Sequence, residues 1–284
     1  MKSVLDYIEK NILIFDGAMG TRLSEKGWDM KCSSEVLNIT KRELVEEIHR
    51  EYIGAGAKII TTNTFMCNIF NGEKYGYVLE EVVEKAVKIA KDAIAGRDIY
   101  IALSCGPSGE FFKTSGKKID KVYENYKRLA EVAEQCGVDL ILLETMMHLE
   151  EVKIAIKTVK ENSQLPVFCT MSTWGGEKMF RDFSVDEMCR VVECGNGDAV
   201  GINCSDSPNN LYEIVEELID KSNLPIMVKP NSGSIKTNGD KTIKEDSEEF
   251  GDDILCFIKK GVKIVGGCCG TNPNYITSIK SKLR

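Results

Sequence analysis

Histidine is nearly absent from this 284-residue chain: there are two, His49 and His148. The first falls inside a predicted helix and the second at a helix start, so a histidine triad or relay is not expected. No G-x-S-x-G elbow, G-x-x-x-x-G-K-S/T loop or G-x-G-x-x-G fingerprint occurs, which removes the commonest serine-hydrolase, P-loop and dinucleotide signatures. No apolar run approaches the roughly 18 residues that span a bilayer. The N-terminal stretch "MKSVLDYIEKNILIF" is broken by Asp6, Glu9 and Lys10 and lacks a small-residue cleavage site, so it does not read as a signal peptide. A cytoplasmic protein is expected, with no membrane partner. Excess positive charge is also missing: the net charge is -7, which argues against a nucleic-acid partner, whose phosphates need clustered Lys and Arg. The one basic run, "GKKIDK" (116–121), is interrupted by Asp120 and reads as a solvated helix start.

What the chain has is cysteine, eleven in all. Most, such as Cys136, Cys169, Cys189 and Cys256, fall in apolar helix or strand patterns and read as reduced thiols acting as small hydrophobes. A smaller group falls elsewhere.

Eight short apolar runs punctuate the chain: "ILIF" (12–15), "KIITT" (58–62), "IYIALS" (99–104), "DLILLE" (139–144), "PVFCTMS" (166–172), "DAVGIN" (198–203), "PIMVK" (225–229) and "KIVGG" (263–267). Bounded by Gly, Pro or Asp, they read as strands buried on both faces. Helical patterns lie between them, with capping boxes predicted at Thr40/Glu43 and Ser184/Glu187, a cap plus N1 proline at Ser207-Pro208, and stops at Gly54, Gly137, Gly195 and Gly261. Eight βα units in one chain predict a (β/α)₈ barrel, a single domain over residues 1–284, with an extra helix at 2–10 capping the barrel bottom. A doubly wound open sheet is the competing architecture.

In such barrels the chemistry sits at the C-terminal strand ends. Cys204 lies at the end of the sixth strand and Cys268-Cys269 at the end of the eighth, with Cys105 as a possible fourth rim thiol after the third. Adjacent residues of a strand point to opposite faces, so Cys268 and Cys269 can aim at one point only where the strand has ended; Gly266, Gly267 and Gly270 supply the backbone freedom. Three thiolates with one open position suit a catalytic zinc site. Metal-free buried thiols and a Cys268–Cys269 disulfide are the alternatives. Zinc with three thiolates is a weak Lewis acid, better matched to ionising a bound thiol than to activating water. Alkyl transfer to sulfur is the reaction class that follows. Asp16 and Gly17 after the first strand, and Glu144 at the end of "LILLE", suggest groups for a substrate carrying an amine, a carboxylate and a thiol; an Asx turn at Asp16 and a Lys or Arg partner for Glu144 are the structural alternatives.

Taken together, "DGAMGT" (16–21), "TNTF" (62–65), "LLET" (142–145), "GINCS" (201–205), "KPNSG" (229–233) and "GGCCGT" (266–271) resemble the homocysteine S-methyltransferase family, which includes the homocysteine-binding module of cobalamin-dependent methionine synthase. The resemblance runs from Ile14 to Pro273. It implies a barrel holding Zn2+ through Cys204, Cys268 and Cys269, homocysteine bound as a zinc thiolate, and the amino-acid end of the substrate near Asp16, Gly17 and Glu144. It places Asn231 near the metal. The folate- and cobalamin-binding modules of full methionine synthase are not found in this chain. Either a methyl-corrinoid (methylcobalamin) on a separate partner protein or a small sulfonium, S-adenosylmethionine or S-methylmethionine, is then the donor; the resemblance of "GGCCGT", "KPNSG" and "GPSG" favours the corrinoid, and a non-catalytic zinc or thiol sensor is a further alternative. The polar stretch 231–250 is expected to border the donor's approach.

Overall fold

The computed structural model describes residues 2–29, 32–109, 119–173, 183–233 and 246–283. Eight strands form one sheet: β1 (Leu13–Ile14), β2 (Ile59–Thr61), β3 (Tyr100–Cys105), β4 (Leu140–Met146), β5 (Val167–Met171), β6 (Ala199–Asn203), β7 (Ile226–Lys229) and β8 (Ile264–Val265). Every pairing is parallel, in the order β1-β8-β7-β6-β5-β4-β3-β2. The ring closes between its first two strands through a Phe15–Ile59 bridge and a bond from the Lys58 amide to the Ile14 carbonyl at 2.8 Å. The closed ring makes this a (β/α)₈ barrel rather than an open doubly wound sheet.

The outer helices are α4 (Arg42–Ala55), α6 (Leu79–Ile94), α7 (Ile119–Cys136), α8 (Leu149–Asn162), α9 (Val185–Cys194), α10 (Tyr212–Lys221), α11 (Ser247–Lys260) and α12 (Pro273–Lys282). Their apolar faces and the outward-facing strand residues form one core, in which Cys105 and Cys169 sit as buried thiols. Inward-facing residues form a second core: Leu13, Phe15, Ile59, Tyr100, Ala102, Leu140, Leu142, Phe168, Ala199, Met227 and Ile264. Helix α1 (Val4–Lys10) belongs to it through Val4 and Ile8, and the Tyr100 hydroxyl donates to the Lys2 carbonyl at 3.0 Å. The predicted N-terminal helix therefore plugs the bottom of the barrel.

Strand alternation then positions the site. Near the C-terminal ends of six strands, two residues beyond the last small or apolar inward position, the same face becomes polar: Thr61, Ser104, Glu144, Thr170, Asn203 and Lys229, all buried. The top layer of the barrel interior is a polar network resting on an apolar floor.

Several local expectations change. The loops after β1 and β2 carry short helices, α2 (Met19–Glu25), α3 (Leu37–Thr40) and α5 (Ile69–Tyr75). Thr40 is not the cap of α4: it ends α3, where its hydroxyl donates to the Val36 carbonyl, and α4 begins after Lys41 with no side-chain cap. Gly54 lies inside α4, and Gly56 makes the left-handed stop at φ 109°. Ser207-Pro208 opens a 3₁₀ turn, Pro208–Asn210, ahead of α10, and the Ser207 hydroxyl engages Asp206 and Asn209 instead of capping. The box at Ser184 and Glu187 forms in full. The start of "GKKIDK" and the middle of 231–250 lie outside the described residues. Among the described residues no helix is long and apolar enough to cross a membrane.

Candidate metal centre and substrate cavity

Cys204 follows β6 directly, with a left-handed backbone at φ 50°. Its amide donates to the Lys229 carbonyl at 3.3 Å and its carbonyl accepts from the Ser172 hydroxyl at 2.9 Å. Left-handed geometry is unfavourable for a residue with a Cβ and persists only when neighbours impose it. These bonds hold it, and they turn the thiol out of strand alternation.

Cys268 and Cys269 follow β8 in a tied turn. The Gly267 amide donates to the Asp16 carbonyl at 3.0 Å, the Cys268 amide to the Pro230 carbonyl at 2.7 Å, and the Ser232 amide to the Cys269 carbonyl at 3.0 Å. The Thr271 hydroxyl donates to the Cys268 carbonyl at 2.7 Å. A Cβ on Gly267 would lie 2.4 Å from Thr271 Oγ1, so the turn closes only around glycine.

The sulfurs of Cys204, Cys268 and Cys269 lie within 4.8 Å of one another, with Cys204 and Cys269 at 3.4 Å. Tetrahedral zinc, with Zn–S near 2.3 Å, places sulfurs about 3.8 Å apart, so this donor set fits that ion. As free thiols they contend for protons: hydrogen bonds to Cys268 and Cys269, together with burial, push Cys204 up, while bonds to Cys204 and Cys268 pull Cys269 down. Cys105 is elsewhere, facing outward into the helix layer.

The three cysteines line a cavity of about 230 Å³ together with Glu144, Lys229 and residues 17–21. Glu144 Oε1 accepts from the Ser104 hydroxyl at 2.5 Å; Oε2 meets Lys229 Nζ and Asn203 Nδ2, each at 3.4 Å. Burial pulls the Lys229 ammonium down, but Glu144 and Asp16 outweigh it and hold it above its usual value. Gly17 lines the cavity, where a Cβ would meet Thr271 Oγ1 at 2.7 Å. Asp16 stands behind the wall: Oδ2 accepts from the Thr61 amide at 2.7 Å, the Thr61 hydroxyl reaches both oxygens, and burial pushes the carboxyl up to about 6 against the pull of Lys229 and Thr61. Asn231 is buried beside the cysteine turn without lining the cavity, and its side-chain atoms have no hydrogen-bond partner among the described residues.

Sequence reasoning placed Ser104, Asn203 and Lys229 at strand ends without assigning them a task. Their signal was available in the alternation, because each is a polar residue two positions beyond a small or apolar inward one.

The family model for homocysteine S-methyltransferase matches residues 13–283. The chain belongs to the homocysteine S-methyltransferase family. Within this family's relatives, the methionine synthase of Mycobacterium tuberculosis (strain ATCC 25618 / H37Rv) is 28% identical over 301 residues, covering 99% of this chain and 25% of that protein. The chain thus spans about a quarter of the length of the mycobacterial methionine synthases it matches. The selenocysteine Se-methyltransferase of Brassica oleracea var. italica is 27% identical, covering 95% of this chain and 88% of that one. The homocysteine methyltransferase MmuM from Escherichia coli shares the fold. Its oxidised form has a TM-score of 0.83 at 22% identity, covering 99% of this chain and 98% of that one. Its metallated form has a TM-score of 0.82 at 21% identity, covering 96% and 97%.

Proposed function

We propose that this protein transfers a methyl group to the thiol of homocysteine, forming methionine, with zinc held by Cys204, Cys268 and Cys269. The observation that carries this reading is the convergence of three sulfurs, from strand ends 65 residues apart in sequence, on the same cavity as a buried carboxylate. Zinc, when bound there, supplies positive charge that favours the ionised form of a thiol, of which only a few per cent is thiolate at neutral pH. The residues of the chain orient the rest. Asp16 and Glu144 face one buried cation, Lys229, so the network has room for a second positive charge. A substrate ammonium at Glu144 Oε2 meets that need, and residues 17–21 line the cavity where its carboxylate would lie. Asn231, buried beside the cysteine turn with its carboxamide unpartnered among the described residues, is a candidate for the region near the metal. The three thiols need a reducing compartment, which fits a cytoplasmic setting.

The methyl carbon leaves its donor and bonds the substrate sulfur, whose proton is lost to solvent. We favour a methyl-corrinoid as donor, because methionine synthases align with 99% of this chain. The second reading, a small sulfonium donor such as S-methylmethionine or S-adenosylmethionine, is supported by relatives that the chain matches over most of their length.

The test is a donor panel. Zinc-replete protein is incubated with homocysteine and methylcobalamin, S-methylmethionine, S-adenosylmethionine or betaine, and methionine is measured. Methionine from methylcobalamin supports the first reading and methionine from a sulfonium the second; none from any donor overturns the proposal. Cys268→Ser should lose stoichiometric zinc, measured by metal analysis after purification under reducing conditions, and full retention would contradict the ligand assignment.

A further inference from the structure

Asn203 ends β6 and precedes Cys204, yet it lines no part of the cavity. Its carboxamide is buried. Oδ1 accepts from the Thr145 amide at 2.8 Å and from the Thr170 hydroxyl at 2.9 Å. A backbone N–H can only donate, so this bond fixes which end of the carboxamide is oxygen. Nδ2 then has two hydrogens and three acceptors: Thr145 Oγ1 at 2.9 Å, Glu144 Oε2 at 3.4 Å and Cys268 Sγ at 3.8 Å. One hydrogen goes to Thr145 at ordinary length. The other is shared between a carboxylate and a sulfur, and its distance to the carboxylate exceeds the usual 2.7–3.2 Å of N–H···O bonds.

Glu144 Oε2 is equally loosely held, since both of its partners stand at 3.4 Å. We propose that Asn203 is a positioning residue that couples the amine subsite at Glu144 to the sulfur of Cys268. An ammonium at Oε2 competes with the shared amide hydrogen, which then bonds Cys268 Sγ more fully. A hydrogen bond to a ligating sulfur reduces the charge it donates, leaving the metal more attractive to an incoming thiol. Amine recognition and thiol binding therefore reinforce each other, and the site favours aminothiols beyond the sum of the two contacts. The proposal rests on the function proposed above.

The cobalt(II)-substituted protein tests it, with three probes: homocysteine; 4-mercaptobutanoate, which lacks the amine; and 2-aminobutanoate, which lacks the thiol. In the wild type, 2-aminobutanoate should shift the sulfur-to-cobalt charge-transfer band although it brings no sulfur. In Asn203→Leu the band should stay still on addition of 2-aminobutanoate. The preference for homocysteine over 4-mercaptobutanoate should fall about tenfold, while 2-aminobutanoate affinity changes by no more than about twofold. Thermal melting checks that the variant folds, and Asn203→Ser, also without the amide donor, serves if Leu does not. An unmoved wild-type band with 2-aminobutanoate bound by calorimetry, or an unchanged preference in the variant, overturns the coupling alone. If the wild type binds neither homocysteine nor 2-aminobutanoate, the functional reading falls with it.

Discussion

Asp16 illustrates how much at the residue scale depends on surroundings. A carboxylate at a barrel rim invites assignment to the substrate, yet Thr61 occupies both of its oxygens and no part of it lines the cavity. Burial raises its carboxyl from 3.8 to about 6. The native state therefore holds a proton that the unfolded chain releases, and the stabilisation is complete below about pH 4 and lost as pH rises through 6. Relative to Asp16→Asn, the wild type should lose roughly 3 kcal/mol of stability between pH 4 and pH 7. Urea titrations at the two pH values check this, and a pH-independent difference would mean that Asp16 is ionised throughout. Glu144 shows the converse. Its Lys229 partner was foreseeable as a structural alternative, but the two 3.4 Å contacts leave Oε2 under-used, which a satisfied core ion pair would not.

At the scale of elements, the strands were legible because both faces are buried, so each reads as a short apolar run with punctuation. The change from apolar to polar near the top of each strand was written in the same residues. Helix starts were less legible. Thr40 and Glu43 have capping-box spacing, but Thr40 is consumed by the preceding helical turn; Ser184 has no such competitor and caps α9. Glycines separate in the same way. Gly201 on β6 faces the barrel axis, where a Cβ would stand 1.8 Å from the Met227 carbonyl oxygen, whereas Gly54 in α4 has open space. Gly201→Ala should cost about 4 kcal/mol or more, or prevent folding, and Gly54→Ala should stabilise by about 0.5–1 kcal/mol. Denaturant midpoints of the two variants decide the matter, and equal effects would refute the packing difference.

Over the whole molecule, stability and chemistry occupy opposite ends of the barrel. The floor is apolar and sealed by Val4 and Ile8 of α1, and the top layer carries every polar contact of the site. Ile8→Ala should lose about 2–5 kcal/mol while, on the function proposed above, zinc stoichiometry and the affinity for homocysteine stay unchanged. Calorimetric melting with metal analysis measures both, and loss of zinc at native temperature would show that the floor shapes the site.

By itself the sequence determined the barrel, through eight buried runs alternating with amphipathic helices, and it singled out Cys204, Cys268 and Cys269 at strand ends, with Cys105 as a possible fourth. Periodicity and backbone punctuation are local properties, and they survive reading along a line. Only the tertiary structure decided that Cys105 faces away while Cys204, Cys268 and Cys269 meet, that Asp16 stands behind the wall, and that Asn203 touches both a carboxylate and a sulfur. Those facts depend on strand register, on two positive-φ residues at strand ends, Thr145 and Cys204, and on distances between residues some 60 positions apart. Closure of the ring fixes them, and no single segment encodes them.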